Sequence, residues 1–513
     1  MEAIAELLAR AGVDGRRPRA VLAALSEGRW WTLADLVRET ATSRRAVEAL
    51  LREADLERSG DRFRLKAPLP GLTVHAAAPA DPVAHLLAGH ASLVATMEEL
   101  IAKAPRGRHT LDHVSATAET VVRRALLLDA RFWLDGARLL CVGDHDLTSL
   151  AAAALHPGLE VTVADIDERI LSYIAEQAER LALPVRTRWA DLRLGLPAST
   201  RAWADLAITD PPYTPEGVGL FVARAAEGLR DREQGRILLA YGASERTPAL
   251  ALKVQQALSQ LNLVSEAIYP DFNRYLGAEA IGSAADLYVL RPTTKTWPAV
   301  AARVDGLSAA IYTQGPQAVE SAGSTAPAPL PGGTPEVLVG DWPGEVLPKV
   351  PRARLSTWLA KPYATDPGEV AIAVPAGLEA ALPRLLLATR ARRVQVTLAA
   401  QPTPSASLPT EPLSPVYELT IEGRTVHAAR LPLPETGEER ILRRILDNAH
   451  GKVANTWREA LIKARGDLTK RQARAVVAAV APWAEDVTVL ELPAHRLLGL
   501  RDAVARSLTA PAE

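Results

Sequence analysis

Between about residues 137 and 291, short apolar β-branched runs alternate with amphipathic ones, and this alternation constrains the fold more than any other feature of the chain. ARLLCVGD, EVTVADID, VRTRWADL, WADLAITDPPY and GRILLAYG read as strands, each closed by acids, glycine or proline. DLTSLAAAALH, DERILSYIAEQAERLAL, GVGLFVARAAEGL and PALALKVQQALSQLNL carry the 3.6-residue period of helices lying on a sheet. Strands joined through helices run parallel, because a parallel crossover needs a connection of that length. LVSEAIYPDFN and ADLYVLRP follow one another without a helix between them and are expected to end the sheet as an antiparallel hairpin.

The expected architecture is α/β. An N-terminal winged helix precedes a central Rossmann-like doubly wound sheet of the class I methyltransferase type, and a C-terminal α/β plus helical extension follows. With 513 residues the chain exceeds one hydrophobic core. Residues 1–67 read as the winged helix, with Thr32 and Ser43 at helix N-caps and a wing turning at Ser59-Gly60. This segment holds 13 Lys and Arg against 11 Asp and Glu, which suits dimerisation or lid formation better than DNA reading. Residues 68–120 form a proline-broken connector with one helix over His85–Ala104, residues 121–316 the catalytic domain, and residues 317–336 a Pro/Gly/Ser-rich linker. Residues 337–513 are an extension with strands at EVAIAVPAG, RRVQVTLAA, VYELTIEG and DVTVLEL, showing neither repeat nor catalytic motif.

Cys141 is the sole cysteine, which excludes an intramolecular disulfide and a Cys-rich zinc site, and the histidines lack ligand spacing, so no metal is expected. No apolar run of about 20 residues offers a membrane span. A net charge of −1 argues against a nucleic-acid partner. A cytoplasmic location is the expectation.

Ligands of open α/β sheets bind beyond the carboxyl ends of the strands. The first strand ends in Gly143-Asp144-His145-Asp146, the second in Asp165-Ile166-Asp167, the third near Asp191 and the fourth in Asp210-Pro211-Pro212-Tyr213. Six carboxylates are thus expected in one crevice. Asp165 lies about 20 residues beyond Gly143, where an acid grips ribose hydroxyls, leaving Asp167 to cap the next helix. Asp191 either meets an adenine amine or caps a turn. In the DPPY segment, prolines fix the backbone so that a carbonyl and Asp210 both accept from one amine, and the Tyr213 ring covers it. The first loop carries acids where a methyltransferase has glycines. A buried carboxylate facing a donor's carboxylate costs several kcal/mol. A decarboxylated, doubly cationic S-adenosylmethionine and a polyamine acceptor suit such a crevice.

These segments resemble the branched-chain polyamine synthases, over roughly residues 20 to 320. The resemblance rests on TAETVVRR (117–124), LLCVGDHDLTSLA, VTVADIDERIL, ITDPPYTPEGVGLFVARA, DFNRY (271–275) and IYTQGPQ (311–317). It implies aminopropyl transfer from decarboxylated S-adenosylmethionine to spermidine N4, with Asp146 as the acid beside the attacking amine, Asp144 opening the acidic run, and Asp210 and Tyr213 forming the substrate corner with Pro211. It also implies a homodimer. His145 departs from the family's middle acid and is expected to bring a charge that changes near neutrality, and His113 departs from the family's lead-in. The competing expectations are an S-adenosylmethionine-dependent N6-adenine or other amino methyltransferase acting on DNA or RNA, and a ligand-sensing regulator without catalysis.

Overall fold

Apolar runs buried on both faces need hydrogen-bonded neighbours on both edges, and the chain supplies them in three sheets. The computed structural model describes residues 2–11, 15–69, 81–244, 246–306, 310–314, 318–319, 333–399, 410–435 and 437–511. Its strands are β1 (Trp31–Thr32), β2 (Leu56–Ser59) and β3 (Arg62–Leu65) in the N-terminal unit. The central unit has β4 (Arg138–Val142), β5 (Glu160–Asp165), β6 (Val185–Trp189), β7 (Leu206–Thr209), β8 (Arg236–Tyr241), β9 (Val264–Arg274) and β10 (Ala284–Arg291). The extension has β11 (Val337–Val339), β12 (Arg352–Ala353), β13 (Glu369–Val374), β14 (Arg393–Leu398), β15 (Tyr417–Glu422) and β16 (Thr425–Arg430).

The central sheet has the order β6-β5-β4-β7-β8-β10-β9. β4 to β8 are mutually parallel, and β10 and β9 close the sheet as the antiparallel hairpin expected. Leu139, Cys141, Val163 and Leu238 in these strands are fully buried, each large aliphatic contributing about 1.5–3 kcal/mol. The chain leaves β4 first for β5 on one side and later returns to β7 on the other. The crevice between β4 and β7 is the topological switch point where such sheets take ligands. Two helices deliver the key side chains. Thr117 caps the helix Ala118–Arg131, accepting from the Thr120 N–H at 3.2 Å. Thr214 caps Pro215–Gly228, with Pro215 in its first turn, where a missing N–H costs nothing.

The N-terminal unit is four helices against the antiparallel sheet β1-β3-β2. It docks beside the β9–β10 hairpin: Arg17 pairs with Asp271 at 3.1 Å and donates to the Ala41 carbonyl. Gly282, at φ +79°, lies so close that a Cβ there would sit 2.7 Å from the Ala41 oxygen.

Three local expectations are corrected. The helix over His85–Ala104 is Ala84–Leu87 and Ala91–Lys103 joined by a 3-10 turn containing Gly89, the poorest helix former in the run after proline. DVTVLEL is a 3-10 turn, Val489–Glu491, with a single bridge among the described residues, from Thr488 to Lys452. The extension's sheet has six strands, with β11, β12 and β16 added to those expected. Most of the 317–336 linker, residue 400 and residues 401–409 of the QPTPSASLPTEPLSP loop lie outside the described residues. No helix among the described residues is long and apolar enough to cross a membrane.

Candidate active site

A cavity of about 280 Å³ opens at the switch point. All nine residues singled out from sequence line it: Gly143, Asp144, His145, Asp146, Asp165, Asp191, Asp210, Pro211 and Tyr213. The strand ends bring them together, since β4 and β5 carry the first five and β7 the DPPY turn. Asp167 does not line it, so five of the six expected carboxylates converge there. Asp167 instead caps the helix Glu168–Arg180 and pairs with the Arg169 guanidinium at 2.6 Å.

At the floor of the cavity lies a residue the sequence reading passed over. Arg124, in the middle of the helix Ala118–Arg131, is 2% exposed, and its guanidinium spans the two most important acids. Nη1 donates to Asp146 Oδ2 at 2.8 Å and Nη2 to Asp210 Oδ2 at 2.6 Å. Nε donates to Asn273 Oδ1 at 2.8 Å, so the fork is held at both ends. The remaining Asp146 oxygen accepts the Ala116 N–H at 2.7 Å. Two phenols complete the cluster: Tyr275 donates to Asp210 Oδ2 at 2.7 Å and Tyr213 to Asp210 Oδ1 at 3.0 Å, with the two hydroxyls 2.9 Å apart. The expected ring of bare negative charge is therefore partly compensated. Its signal was in the sequence, as a charged residue interrupting the buried face Val121, Val122, Ala125, Leu128, and as the tyrosine of DFNRY.

Burial pushes the Asp210 carboxyl up to about 6, with Asp146 adding to the rise while Arg124 and Tyr275 hold it down. Its side chain keeps 21% exposure, in contact with the cavity. Asp144 is pushed up to about 7, chiefly by burial and further by Asp146 and Asp165, although the Ser149 N–H favours its ionised form at 3.1 Å. Asp144 thus takes up one free N–H at the start of the helix Thr148–Leu155, whose N-cap residue is Leu147, while Asp146 is held by Arg124 and Ala116. Asp165 accepts the backbone N–H groups of Asp144 at 3.0 Å and Asp167 at 2.8 Å, and burial raises it too. Asp191 is gripped by Arg193, with Nε at 2.8 Å and Nη2 at 2.6 Å.

The surroundings of His145 disfavour the charge expected of it near neutrality. His145 stacks on His113 with centroids 4.5 Å apart and planes 16° from parallel. Burial, and then the neighbouring ring, push His113 down to about 3, and burial lowers His145 as well. The His113 imidazole is neutral at pH 7, and burial biases the His145 imidazole toward its neutral form. Among the described residues, no group of three or more His, Cys, Asp and Glu side chains is arranged to hold a metal.

The connector contributes more than a tether. His109 to Val114 form one wall, and Asp112 clasps the opposite wall by accepting the Thr313 N–H at 2.7 Å and hydroxyl at 2.6 Å. Thr214 in turn donates to the Ile311 carbonyl at 2.7 Å, seating residues 311–313 on the DPPY turn. Gly217 makes that fit possible, because a Cβ there would lie 2.6 Å from the Pro212 oxygen.

The family model for the branched-chain polyamine synthase A C-terminal domain matches residues 92–313. Over that segment the chain is similar to the branched-chain polyamine synthase family. An N(4)-bis(aminopropyl)spermidine synthase from Methanocaldococcus jannaschii is 29% identical over 194 residues, covering 37% of this chain and 55% of that protein. The synthase of the same name from Thermococcus kodakarensis is 30% identical over 188 residues, covering 36% and 53%. An uncharacterised protein of M. jannaschii is 38% identical over 174 residues, covering 34% and 44%. The chain thus spans about half the length of the curated relatives it matches. The crystal structure of the family member from Thermus thermophilus, in complex with N4-aminopropylspermidine and 5′-methylthioadenosine, is 22% identical, with a TM-score of 0.43 over 57% of this chain and 92% of that one. The family match runs through the Arg124 helix, the acidic loop, the DPPY turn and Tyr275, and stops at the residue that Asp112 clasps.

Proposed function

We propose that this chain transfers an aminopropyl group from decarboxylated S-adenosylmethionine to a polyamine nitrogen, with spermidine N4 as the acceptor. The observation that carries this reading is the pairing of Asp146 and Asp210 across one guanidinium at the switch point. Of the five strand-end carboxylates at the cavity, Asp191 is answered by Arg193, and Asp144, Asp146, Asp165 and Asp210 share Arg124 as the lining cation. The balance is negative, and the guanidinium is already shared. A donor bearing its own carboxylate would face Asp144 and Asp146 with little to answer it, whereas a cationic tail suits them. Asp165 and Asp191 fit the adenosine end.

The donor supplies a three-carbon electrophile beside a sulfonium, and the chain's own residues do the rest. The Pro211 carbonyl, which accepts no hydrogen bond from a described residue, and Asp210 together orient an acceptor amine. The C–N bond forms as the C–S bond breaks, the thioether leaves neutral, and the proton of the attacking nitrogen passes to Asp210 or Asp146. Tyr213 and Tyr275 fix Asp210 in place for that role, and holding both cations together supplies most of the acceleration.

The test is incubation with decarboxylated S-adenosylmethionine and spermidine, reading a branched product by mass spectrometry and release of 5′-methylthioadenosine. S-adenosylmethionine with DNA or RNA runs in parallel, and methylated nucleic acid without branched product overturns the proposal. Asp146→Asn is expected to lower turnover by about 100-fold or more. It retains the acceptor for the Ala116 N–H, so the fold persists. A variant at the wild-type rate removes Asp146 from the mechanism.

A further inference from the structure

The extension repeats the central fold. Its sheet has the order β12-β11-β13-β14-β16-β15, with β12, β11, β13 and β14 parallel and β16 and β15 antiparallel at the end. Laid on the central order β6-β5-β4-β7-β8-β10-β9, it matches strand for strand in chain order, spatial order and direction, short of one edge strand. The agreement reaches single hydrogen bonds. β4 ends in Val142-Gly143-Asp144 and β11 in Val339-Gly340-Asp341. Both glycines have positive φ, +74° and +90°. Gly143 donates to the Ala164 carbonyl of the next strand at 2.9 Å, and Gly340 to the Ala353 carbonyl at 2.9 Å.

The second copy has lost the chemistry. Where β7 runs into Asp210-Pro211-Pro212-Tyr213, β13 runs into Pro375-Ala376-Gly377, without acid or phenol. The loop after β11 is closed on itself: Trp342 donates to the Val339 carbonyl at 3.0 Å, and Arg352 donates to the Trp342, Pro343 and Val346 carbonyls at 2.6, 2.9 and 2.7 Å. Carbonyls turned inward onto a guanidinium leave no cradle for an adenosine donor.

What the copy retains is a contact. Gly377, at the position corresponding to the DPPY corner and at φ +79°, accepts from Arg193 Nη2 at 2.8 Å. The same guanidinium grips Asp191, which lines the donor cavity. Arg193 and Asp191 are each 3% exposed, so neither is screened by water. Beside them, Arg384 of the extension pairs with Glu168 at 2.6 Å, adjoining the second strand end.

We propose that residues 333–399 and 410–435 are a degenerate, non-catalytic second copy of the transferase fold that supports the donor pocket of the first, with Arg193 as the positioning residue between Gly377 and Asp191. The donor's identity rests on the function proposed above, but the coupling requires only an adenosine-bearing ligand. Full-length wild type, Arg193→Ala, Arg193→Lys and Gly377→Val are titrated calorimetrically with 5′-methylthioadenosine and with S-adenosylhomocysteine, and the KM for spermidine and thermal midpoints are measured alongside. Arg193→Ala is expected to weaken nucleoside binding about 10- to 100-fold with the spermidine KM unmoved, Arg193→Lys to recover part of that loss, and Gly377→Val to weaken binding without touching any pocket residue. Wild-type affinity in Arg193→Ala overturns the proposal, as does equal loss of both affinities or a loss that only follows the thermal midpoint. Binding of S-adenosylhomocysteine but not 5′-methylthioadenosine to wild type sinks the aminopropyl reading and leaves the coupling to be judged on the former. Binding of neither overturns both.

Discussion

Arg124 and Asp210 meet at 2.6 Å on the floor of the cavity, and the same guanidinium reaches Asp146 at 2.8 Å. Removing one partner of a buried ion pair leaves charge without a counter-ion, at a cost of about 3–5 kcal/mol. Arg124→Leu, nearly isosteric along the stem, is therefore expected to lose stability on that scale in urea denaturation at pH 7.5. Combining it with Asp210→Asn removes one of the stranded charges and should restore part of the loss. If the single variant unfolds at the wild-type midpoint, the cluster is not held as described.

Tyr275 donates to Asp210 at 2.7 Å and so favours its ionised form. Asp210 already sits at about 6 because of burial. Tyr275→Phe deletes a hydrogen bond to a charged group, worth about 1.5–3 kcal/mol, and so moves the acid limb of kcat/KM up by about 1–2 pH units. The rate at pH 9 should change far less than the rate at pH 6.5. A pH profile that merely scales down at all pH values would mean that Tyr275 does not tune this carboxyl.

Why the sequence disclosed some of this and not the rest is visible in particular residues. Strand ends in an open α/β sheet converge by topology, so Gly143, Asp144, Asp165 and Asp210 were placed in one crevice by alternation alone. Arg124 is held by partners 22, 86 and 149 positions away. The break it makes in an apolar helix face is local, but nothing local says which acids it meets. The second copy of the fold stayed hidden for the opposite reason: β11 and β12 have only three and two residues, too short for periodicity, and the repeat lies in strand order rather than in shared side chains.

His145 occupies a position where a charge would speak directly to the substrate, and its stacking on His113 withholds one. With His113 near 3 and His145 lowered below its ordinary value by burial, both rings are largely neutral between pH 7 and 8. The pH–rate profile of His145→Gln should therefore overlay that of wild type in shape across this range, whatever its absolute level. Nuclear magnetic resonance of the ring protons gives a direct check. A His145 titration centred near 6.5 would show that the stacked pair is accessible to protons after all.

Asp144 exposes the tension between stability and charge in the first loop. Its carboxyl lies at about 7 in the folded chain, well above the value of about 3.9 expected when unfolded. The native state therefore binds the proton more tightly, so protonation stabilises it. Stability falls as pH rises through the interval from about 4 to about 7 and is flat above it. Asn at this position still accepts the Ser149 N–H but carries no charge. Asp144→Asn should match wild type near pH 4 and exceed it by up to about 4 kcal/mol at pH 8, measured by urea denaturation. The same variant should bind a cationic donor more weakly, since the charge it removes is one that attracts such a donor. A variant less stable than wild type at pH 8 would mean that the Asp144 carboxylate is fully compensated where it lies, and the first loop would then offer no surplus negative charge to select a donor without a carboxylate.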